Sequence, residues 1–281
     1  MFYIPDERIE KYIKEDVPYI DLTTLVLGIG SRKGKMNFYS REEAVLCGTE
    51  EVVRLCGKLG AQVTSYLPSG SPVKPNETFL EVEGKAEELH AAWRVSLNIL
   101  EYFSGIATRT RQMVDKAATI NPWISIAATR KILPGSKELA TKAVVVGGGF
   151  PHRLGLSETI LIFEQHLNFL GGLPGLLKIL DRVRARACEK KVIVEVRDLK
   201  SALALCKAGV DGIQFDKVPP PEVKNYVTRL REINPAIILL AAGGINLNNV
   251  ADYVETGVDV IVTTSVYFGK PVDLSVKMVE A

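Results

Sequence analysis

The fold is decided by residues 191–216, "KVIVEVRDLKSALALCKAGVDGIQFD". This stretch holds two short apolar runs, KVIVEV (191–196) and GIQF (212–215), and a segment between them with helical patterning (198–209). Continuous apolar strands joined by a helix are typical of parallel strands that are covered on both faces. The stretch therefore predicts a β-α-β unit.

The same pattern extends to both sides of this unit. The other predicted strands after residue 104 are WISIAA (123–128), AVVVG (143–147), TILIF (159–163), AIILLAA (236–242) and DVIVTT (259–264). Further helices are predicted over 172–190, 219–233 and 247–256. About seven such units fit an incomplete (β/α) barrel better than a short doubly wound sheet. The fold class is therefore α/β.

The first hundred residues have a different pattern. Helices are predicted over 5–15 and 41–61, where apolar residues recur at helical spacing. A short alternating strand and a glycine break then precede a long helical region around Ala91–Phe103. The chain therefore has a smaller α/β part before the barrel.

Composition excludes several classes of protein. The net charge of +2 gives no overall bias toward nucleic acid or membrane surfaces. The four cysteines have no C-x-x-C spacing and there are three histidines, which excludes a zinc pattern and is typical of a reduced compartment. The N-terminus has no apolar signal segment, and no apolar run approaches the roughly 20 residues of a membrane span. We expect a soluble, cytoplasmic protein.

Polar residues follow the predicted strands, where barrel enzymes keep their catalytic groups. They are Thr129, Arg130, Lys131, His152, Arg153, Glu195, Asp216, Lys217, Gly243, Gly244 and Thr263–Ser265. Cations come from early strands, carboxylates from the middle, and a double glycine that opens a helix comes late. Glycine N–H groups and a helix dipole suit a phosphate, and paired carboxylates suit Mg²⁺. The set predicts a multiply phosphorylated substrate with a metal.

Each of these signals also has a purely structural interpretation. Asp216 could cap the helix that follows it, and Glu195 could pair with Arg197 at the surface. The glycines at 147–149 could form a loop that needs positive φ. The catalytic interpretation gains weight because all the polar groups fall at strand ends rather than at strand starts.

Five motifs are spread along the chain: EDVPYIDLTT (15–24), LNILEYFSGIAT (97–108), TRKILPG (129–135), GGGFPHRLGL (147–156) and AAGGINLNNVADYVETGVDVI (241–261). In sequence and in order they resemble motifs of the nicotinate-nucleotide pyrophosphorylase (quinolinate phosphoribosyltransferase) family. The chain is more similar still to the ModD-type branch of this family, which is associated with molybdenum-transport operons. This similarity lies in residues 89–111, residues 152–163 and the ending TTSVYFGKPVDLSVKM.

The resemblance implies two domains and a shared site. It implies an N-terminal α/β sandwich domain (1–103) and a seven-stranded barrel (104–266), with a tail (267–281) that packs back on the first domain. It also implies a homodimer, the co-substrate 5-phosphoribosyl 1-pyrophosphate (PRPP) and Mg²⁺. Arg94 matches an arginine that reaches across the dimer. The basic lining around the acid substrate and pyrophosphate is matched by Arg130, Lys131, His152 and Arg153. The acidic pair near ribose and metal is matched by Glu195 and Asp216, and the 5′-phosphate cradle by Gly243 and Gly244. Thr129 is a further predicted substrate-binding residue.

The chain departs from the family pattern at three places. Phe163 stands where the family places a lysine, Trp93 where it places an acid, and Leu240–Ala242 where Glu-Ala-Ser is usual. Loss of one desolvated lysine contact costs about 2–5 kcal/mol of binding to a dicarboxylate such as quinolinate. Phe163 would instead offer a stacking wall.

The resulting hypothesis is a PRPP-dependent phosphoribosyltransferase that acts on a quinolinate-like or other nitrogen-heterocycle acid. Glu195, Asp216 and Lys131 are the predicted catalytic residues, and Glu195 and Asp216 the predicted metal ligands. Two alternatives stay open at this point. One is a catalytically altered binder of a phosphorylated or oxyanionic ligand linked to molybdenum metabolism. The other is a lyase or decarboxylase that uses Lys131 as a Schiff base.

Overall fold

The computed structural model describes residues 2–281, which divide into two compact units. The first unit comprises the chain up to Arg111 together with Leu133–Gly147 and Tyr267–Ala281. The second comprises Gln112–Ile132 and Gly148–Val266. The polar residues predicted at strand ends belong to the second unit.

The second unit is built on a parallel sheet of seven strands. In sheet order the strands are β7 (Phe150–Pro151), β6 (Ser125–Ala128), β12 (Val260–Thr263), β11 (Ile238–Ala242), β10 (Gly212–Asp216), β9 (Val192–Val196) and β8 (Ile160–Ile162). The predicted incomplete seven-stranded barrel is confirmed, because β7 and β8 end the sheet on either side.

Helices follow most of these strands. They are α6 (Glu164–Asn168), α7 (Leu173–Arg186), α8 (Leu199–Lys207), α9 (Pro220–Ile233) and α10 (Val250–Val254). Local sequence explains where α8 begins, since the Asp198 side chain accepts a hydrogen bond from the Ser201 N–H at 2.8 Å. The α9 helix begins at a run of prolines, whose fixed φ suits a first helical turn.

Strand register brings the carboxyl ends of the strands to one rim. Glu195 pairs with Gln214, and Asp216 pairs with Ala242. Toward the other edge of the sheet, Ala128 lies beside both Thr263 and Pro151. Residues that follow these positions in the chain therefore converge above the sheet, where catalytic groups of barrel enzymes are found.

The prediction of a strand at 143–147 is wrong. This run continues helix α5 (Lys137–Val146), which belongs to the first unit. Its buried residues Leu139, Ala140, Ala143 and Val144 have helical spacing, so the β-branched valines pack on a helix face. The seventh strand is instead β7. Directly after α5, Gly147 has no room for a side chain, because a Cβ there would lie 2.6 Å from the Ala107 carbonyl oxygen.

The first unit has a four-stranded antiparallel sheet in the order β13-β1-β5-β3 and a small β2-β4 pair. Its strands are β1 (Lys33–Ser40), β2 (Ala44–Val45), β3 (Gln62–Tyr66), β4 (Pro72–Val73), β5 (Thr78–Lys85) and β13 (Leu274–Glu280). Its other helices are α1 (Asp6–Asp16), α2 (Leu22–Leu27), α3 (Thr49–Lys58) and α4 (Ala86–Ala118), whose last turns enter the second unit.

The helix predicted over 41–61 is shorter in the structure. It begins at Thr49, because the residues before it form β2 and a left-handed turn at Gly48. The helical spacing of apolar residues in the sequence therefore starts before the helix itself does.

Among residues 2–281, none of the helices is both long and apolar enough to cross a lipid bilayer.

Candidate active site

A cavity of about 460 Å³ opens at the carboxyl ends of the seven strands. Its lining residues belong to the second unit. They include ten of the eleven site residues predicted from sequence: Thr129, Arg130, Lys131, His152, Arg153, Phe163, Glu195, Asp216, Gly243 and Gly244. The structure therefore brings these ten side chains and turns together in one place.

Arg94 is the predicted site residue that is placed elsewhere. It lies exposed on α4 in the first unit, with its guanidinium carbon 5.2 Å from the centre of the Trp93 ring. Arg94 is not among the described residues that line the cavity. Its role at the site of a partner subunit remains a prediction.

One side of the cavity is cationic. Arg130 and Lys131 follow β6 and are exposed, while His152 and Arg153 follow β7. The His152 N–H donates to the Ala128 carbonyl at 2.8 Å, which ties the two strand ends together. Burial lowers the pKa of Arg153, and the charge of Arg130 acts in the same direction. These neighbouring cations are arranged for an anionic ligand.

His152 contributes a hydrogen bond rather than a charge at neutral pH. Burial is the main cause that lowers the pKa of its imidazole, the charges of Arg153 and Arg130 act in the same direction, and together they bring it to about 4. A neutral ring presents one donor and one acceptor nitrogen. His152 can therefore orient a bound acid without adding to the positive charge of this side.

The carboxylates lie on the other side, on β9 and β10. Glu195 Oε2 accepts from Gln214 Nε2 at 2.7 Å. Burial raises the pKa of Glu195, the bond from Gln214 partly offsets this, and the nearby charge of Asp216 raises the pKa again. Two carboxylates that repel each other on neighbouring strands favour a positive species beside them.

Both structural interpretations of these carboxylates are wrong. The N-cap of α9 is Pro219, and the Asp216 carboxylate instead accepts from Arg197 Nε at 3.2 Å and Nη2 at 3.0 Å. Glu195 bonds to Gln214, not to Arg197, whose Nη1 lies 3.7 Å from Glu164 Oε2. Arg197 thus links the segments that follow β8, β9 and β10.

The carboxylate pair fits a metal that arrives with its substrate. Within residues 2–281, no group of three or more His, Cys, Asp or Glu side chains could by itself hold a metal ion. Mg²⁺ commonly uses one or two protein carboxylates and takes its other ligands from water and substrate phosphates. Glu195 and Asp216 meet that requirement.

The glycine turn after β11 has a backbone that only glycine tolerates easily. Gly243 has φ of +92°, and a Cβ there would lie 2.5 Å from Lys217 Cγ and 2.7 Å from the Lys217 nitrogen. Contrary to the expectation from the sequence, the glycines do not begin a helix directly, because the turn at Asn246–Asn249 lies between them and the five-residue α10, which begins at Val250. A phosphate contact here therefore depends mainly on the backbone of the glycine turn.

The remaining side of the cavity is apolar. Leu161, Ala242 and Val262 belong to a buried cluster, and the half-buried Phe163 packs against it. The Phe163 N–H donates to His166 Nδ1 at 3.0 Å, and the two rings stack with centres 5.8 Å apart. Arg153 places its guanidinium carbon 5.9 Å from the centre of the Phe163 ring. A histidine and an arginine thus both lie close to the ring.

Sequence reasoning missed several lining residues. Leu161, Gln214, Ala242 and Val262 looked like plain strand interior because they precede the strand ends. A period-two reading of β10 could have found Gln214, since it shares the inward face with Asp216 two residues later. No pattern in the sequence indicated that Asp216 pairs with Arg197 or that Glu195 accepts a hydrogen bond from Gln214.

Two family models together match almost all of the chain. The N-terminal domain of quinolinate phosphoribosyl transferase matches residues 21–104, and its C-terminal domain matches residues 106–277. The chain belongs to the quinolinate phosphoribosyl transferase family. This is a family of pentosyl-transferring enzymes, and the predicted membership is confirmed.

Relatives within the family carry two kinds of name. A protein of Pasteurella multocida, provisionally named pyrophosphorylase ModD, is 34% identical over 276 residues, which are 98% of each chain. A protein of Rhodobacter capsulatus with the same name is 39% identical over 89% of this chain and 96% of its own. A provisionally named nicotinate-nucleotide pyrophosphorylase (carboxylating) of Methanothermobacter thermautotrophicus is 33% identical over 96% of this chain and 97% of its own.

Solved structures of the family share the fold. NadC from Streptococcus pyogenes superposes with a TM-score of 0.89 at 26% identity, over 98% of this chain and 96% of its own. Nicotinate-nucleotide pyrophosphorylase from Ehrlichia chaffeensis superposes with a TM-score of 0.88 at 27% identity, over 99% of this chain and all of its own. The cavity described above therefore sits in a fold that the family's pyrophosphorylases use.

Proposed function

We propose that this chain is a PRPP-dependent phosphoribosyltransferase whose acceptor is a nitrogen-heterocycle acid. The observation that carries the proposal is that one cavity is lined by cations, a glycine turn and paired carboxylates. PRPP presents a pyrophosphate, a 5′-phosphate and a ribose that becomes positively charged during transfer. Each of these parts has a matching group of residues in the cavity.

Arg130 and Lys131 are suited to the leaving pyrophosphate. Both are exposed at the rim beside Thr129, so they can meet a highly charged group without prior desolvation. Cations aimed at the leaving oxygen stabilise the charge that develops as the bond to ribose breaks. The glycine turn at Gly243 and Gly244 would hold the 5′-phosphate on its backbone N–H groups, since a Cβ at Gly244 would meet no atom within 4 Å and open space therefore lies beside this backbone.

Glu195 and Asp216 are suited to the ribose. In the proposed reaction a ring nitrogen attacks the anomeric carbon, and the carbon–oxygen bond to pyrophosphate breaks with its electron pair going to pyrophosphate. The sugar then has oxocarbenium character, which the two carboxylates stabilise electrostatically. No covalent enzyme intermediate is needed. An acceptor with a carboxyl group next to the attacking nitrogen would lose CO₂ afterwards.

Mg²⁺ would be held by the same carboxylates together with substrate oxygens. When bound, it supplies positive charge to the pyrophosphate. Arg197 already shares Asp216, which limits how much of that carboxylate a metal can use. Within the proposal, Arg197 sets the position of Asp216 at the ribose.

The acceptor side would be formed by Arg153, His152 and Phe163. Arg153 and the neutral His152 can bind a carboxylate, while Phe163 offers its ring face or edge to an aromatic acceptor. A homodimer in which Arg94 of one subunit reaches the site of the other is part of the same proposal.

The test is pyrophosphate release from PRPP and Mg²⁺ across pyridine carboxylates and related heterocyclic acids, with nucleotide products identified by mass spectrometry. Isothermal titration with PRPP and Mg²⁺ is measured in parallel. Glu195→Gln is the matched variant, since it should bind PRPP yet release pyrophosphate about 10²- to 10³-fold more slowly. Failure of the wild-type protein to bind PRPP would overturn the proposal. Binding without turnover of any acceptor would favour a catalytically altered binder.

A further inference from the structure

Gln214 is a buried amide in the floor of the cavity with one hydrogen-bonding atom unused. Its side chain is 4% exposed and lines the cavity. Nε2 donates to Glu195 Oε2, but Oε1 has no hydrogen-bond partner among residues 2–281. A buried acceptor without a partner is uncommon in folded proteins, and each such atom calls for an explanation.

The orientation of the amide follows from its neighbour. If the amide were reversed, Oε1 would face the Glu195 carboxylate, and two acceptors would meet at 2.7 Å. The observed orientation gives Glu195 a donor, so the unused atom is an acceptor. A ligand that completes this site must therefore bring an N–H or O–H group.

The surroundings of Gln214 favour a flat ring over a sugar. Gln214 lies beside Leu240 on β11 and beside Glu195 on β9. The apolar residues Leu161, Ala242 and Val262 line the same cavity. The hydroxyl groups of a ribose have charged acceptors in Glu195 and Asp216, so the single neutral acceptor of Gln214 matches one donor on the edge of an aromatic ring.

We propose that Gln214 is a specificity-determining residue that accepts a hydrogen bond from a donor group on the acceptor heterocycle. The acceptor is then a planar nitrogen-heterocycle acid with two different edges. Its carboxylate faces Arg153 and His152, and an amino, hydroxyl or ring N–H group faces Gln214. This inference rests on the proposed function and names the acceptor class within it.

A site built around a buried acceptor discriminates against ligands that lack the donor. Such a ligand leaves the acceptor unpaired, and pairs of this kind commonly differ in kcat/KM by large factors. We expect the kcat/KM of an acid that carries the donor to be about 10- to 100-fold higher than that of an isostere without the donor. An amino group and a methyl group have nearly the same size, so amino and methyl derivatives separate the hydrogen bond from the fit.

The experiment compares nicotinates that carry amino or methyl groups at ring positions 2, 5 and 6. Pyrophosphate release from PRPP and binding by isothermal titration are measured for wild type, Gln214→Leu, Gln214→Met and the exposed control Gln112→Leu. At one ring position we expect a higher kcat/KM for the amino compound than for the methyl compound, both in wild type and in Gln112→Leu. The ratio should fall to about 1 in both Gln214 variants. Two Gln214 variants are used because one of them could fold poorly.

Four results would overturn the inference. The first three are equal kcat/KM for amino and methyl compounds at every position in wild type, a preference that survives in both Gln214 variants, and no binding of any of these acids. Loss of PRPP affinity in the Gln214 variants with an unchanged base preference would place the partner on ribose, which also overturns it. Failure of wild type to bind PRPP is a separate result that counts against the proposed function. The two failures can be told apart because the acids are titrated in the absence of PRPP.

Discussion

Lys142 carries the strongest prediction about the stability of the first unit. This lysine is 5% exposed, and its Nζ donates to Glu50 Oε2 and to Glu51 Oε2, each at 2.6 Å. Glu51 is itself only 3% exposed. Burial lowers the pKa of Lys142, but hydrogen bonds to the two carboxylates outweigh this and raise it. The lysine is therefore charged and neutralises the buried Glu51 together with the partly exposed Glu50.

The perturbation is Lys142→Met, which keeps the length of the side chain and removes its charge. Glu50 retains hydrogen bonds from Ser69, whereas Glu51 is left as a buried carboxylate without its cation. Breaking a buried ion pair from one side costs about 3–5 kcal/mol. At about 2–4 °C per kcal/mol for a chain of this size, the melting temperature should fall by about 6–20 °C.

The assay is thermal and urea unfolding followed by circular dichroism at neutral pH. Lys137→Met is the matched control, because Lys137 is exposed on the same helix and should change stability by less than about 0.5 kcal/mol. The double variant Lys142→Met with Glu51→Gln should regain at least about 1 kcal/mol, since it no longer buries an unpaired charge. A loss below about 1 kcal/mol, or a double variant no more stable than the single one, would refute the reasoning.

Three further predictions concern the cavity. Phe163→Lys, with Phe163→Met as control, should raise activity on quinolinate by about 10-fold or more by adding a cation for a second carboxylate; steady-state assays with no gain over the control would contradict this. Gly243→Ala should weaken PRPP binding in titrations, because its Cβ would lie 2.5 Å from Lys217 Cγ at a φ of +92°; unchanged affinity would show that the turn is not part of the phosphate site. The pKa of His152 is lowered from 6.5 to about 4, so its contribution to stability is unchanged above pH 6.5 and is lost as pH falls toward 4; His152→Asn should flatten that part of the stability–pH curve, and equal curves would argue against a buried neutral ring.

The sequence by itself determined the class of fold and most of the site. The apolar runs that became β6 and β8–β12 are short, β-branched and bounded by turns, and this local pattern is enough to specify buried parallel strands. Because parallel strands end at a common rim, chain position alone also placed Arg130, Glu195 and Asp216 in one cavity.

Only the tertiary structure decided which partners these residues have. The run at 143–147 became helical because its packing face has helical spacing, which overrides β propensity. Asp216 pairs with Arg197, and Gln214 holds Glu195 with an acceptor left over, because strand register sets which side chains are neighbours. Side chains that lie 19 residues apart in the chain meet through that register, and no local pattern in the sequence encodes it.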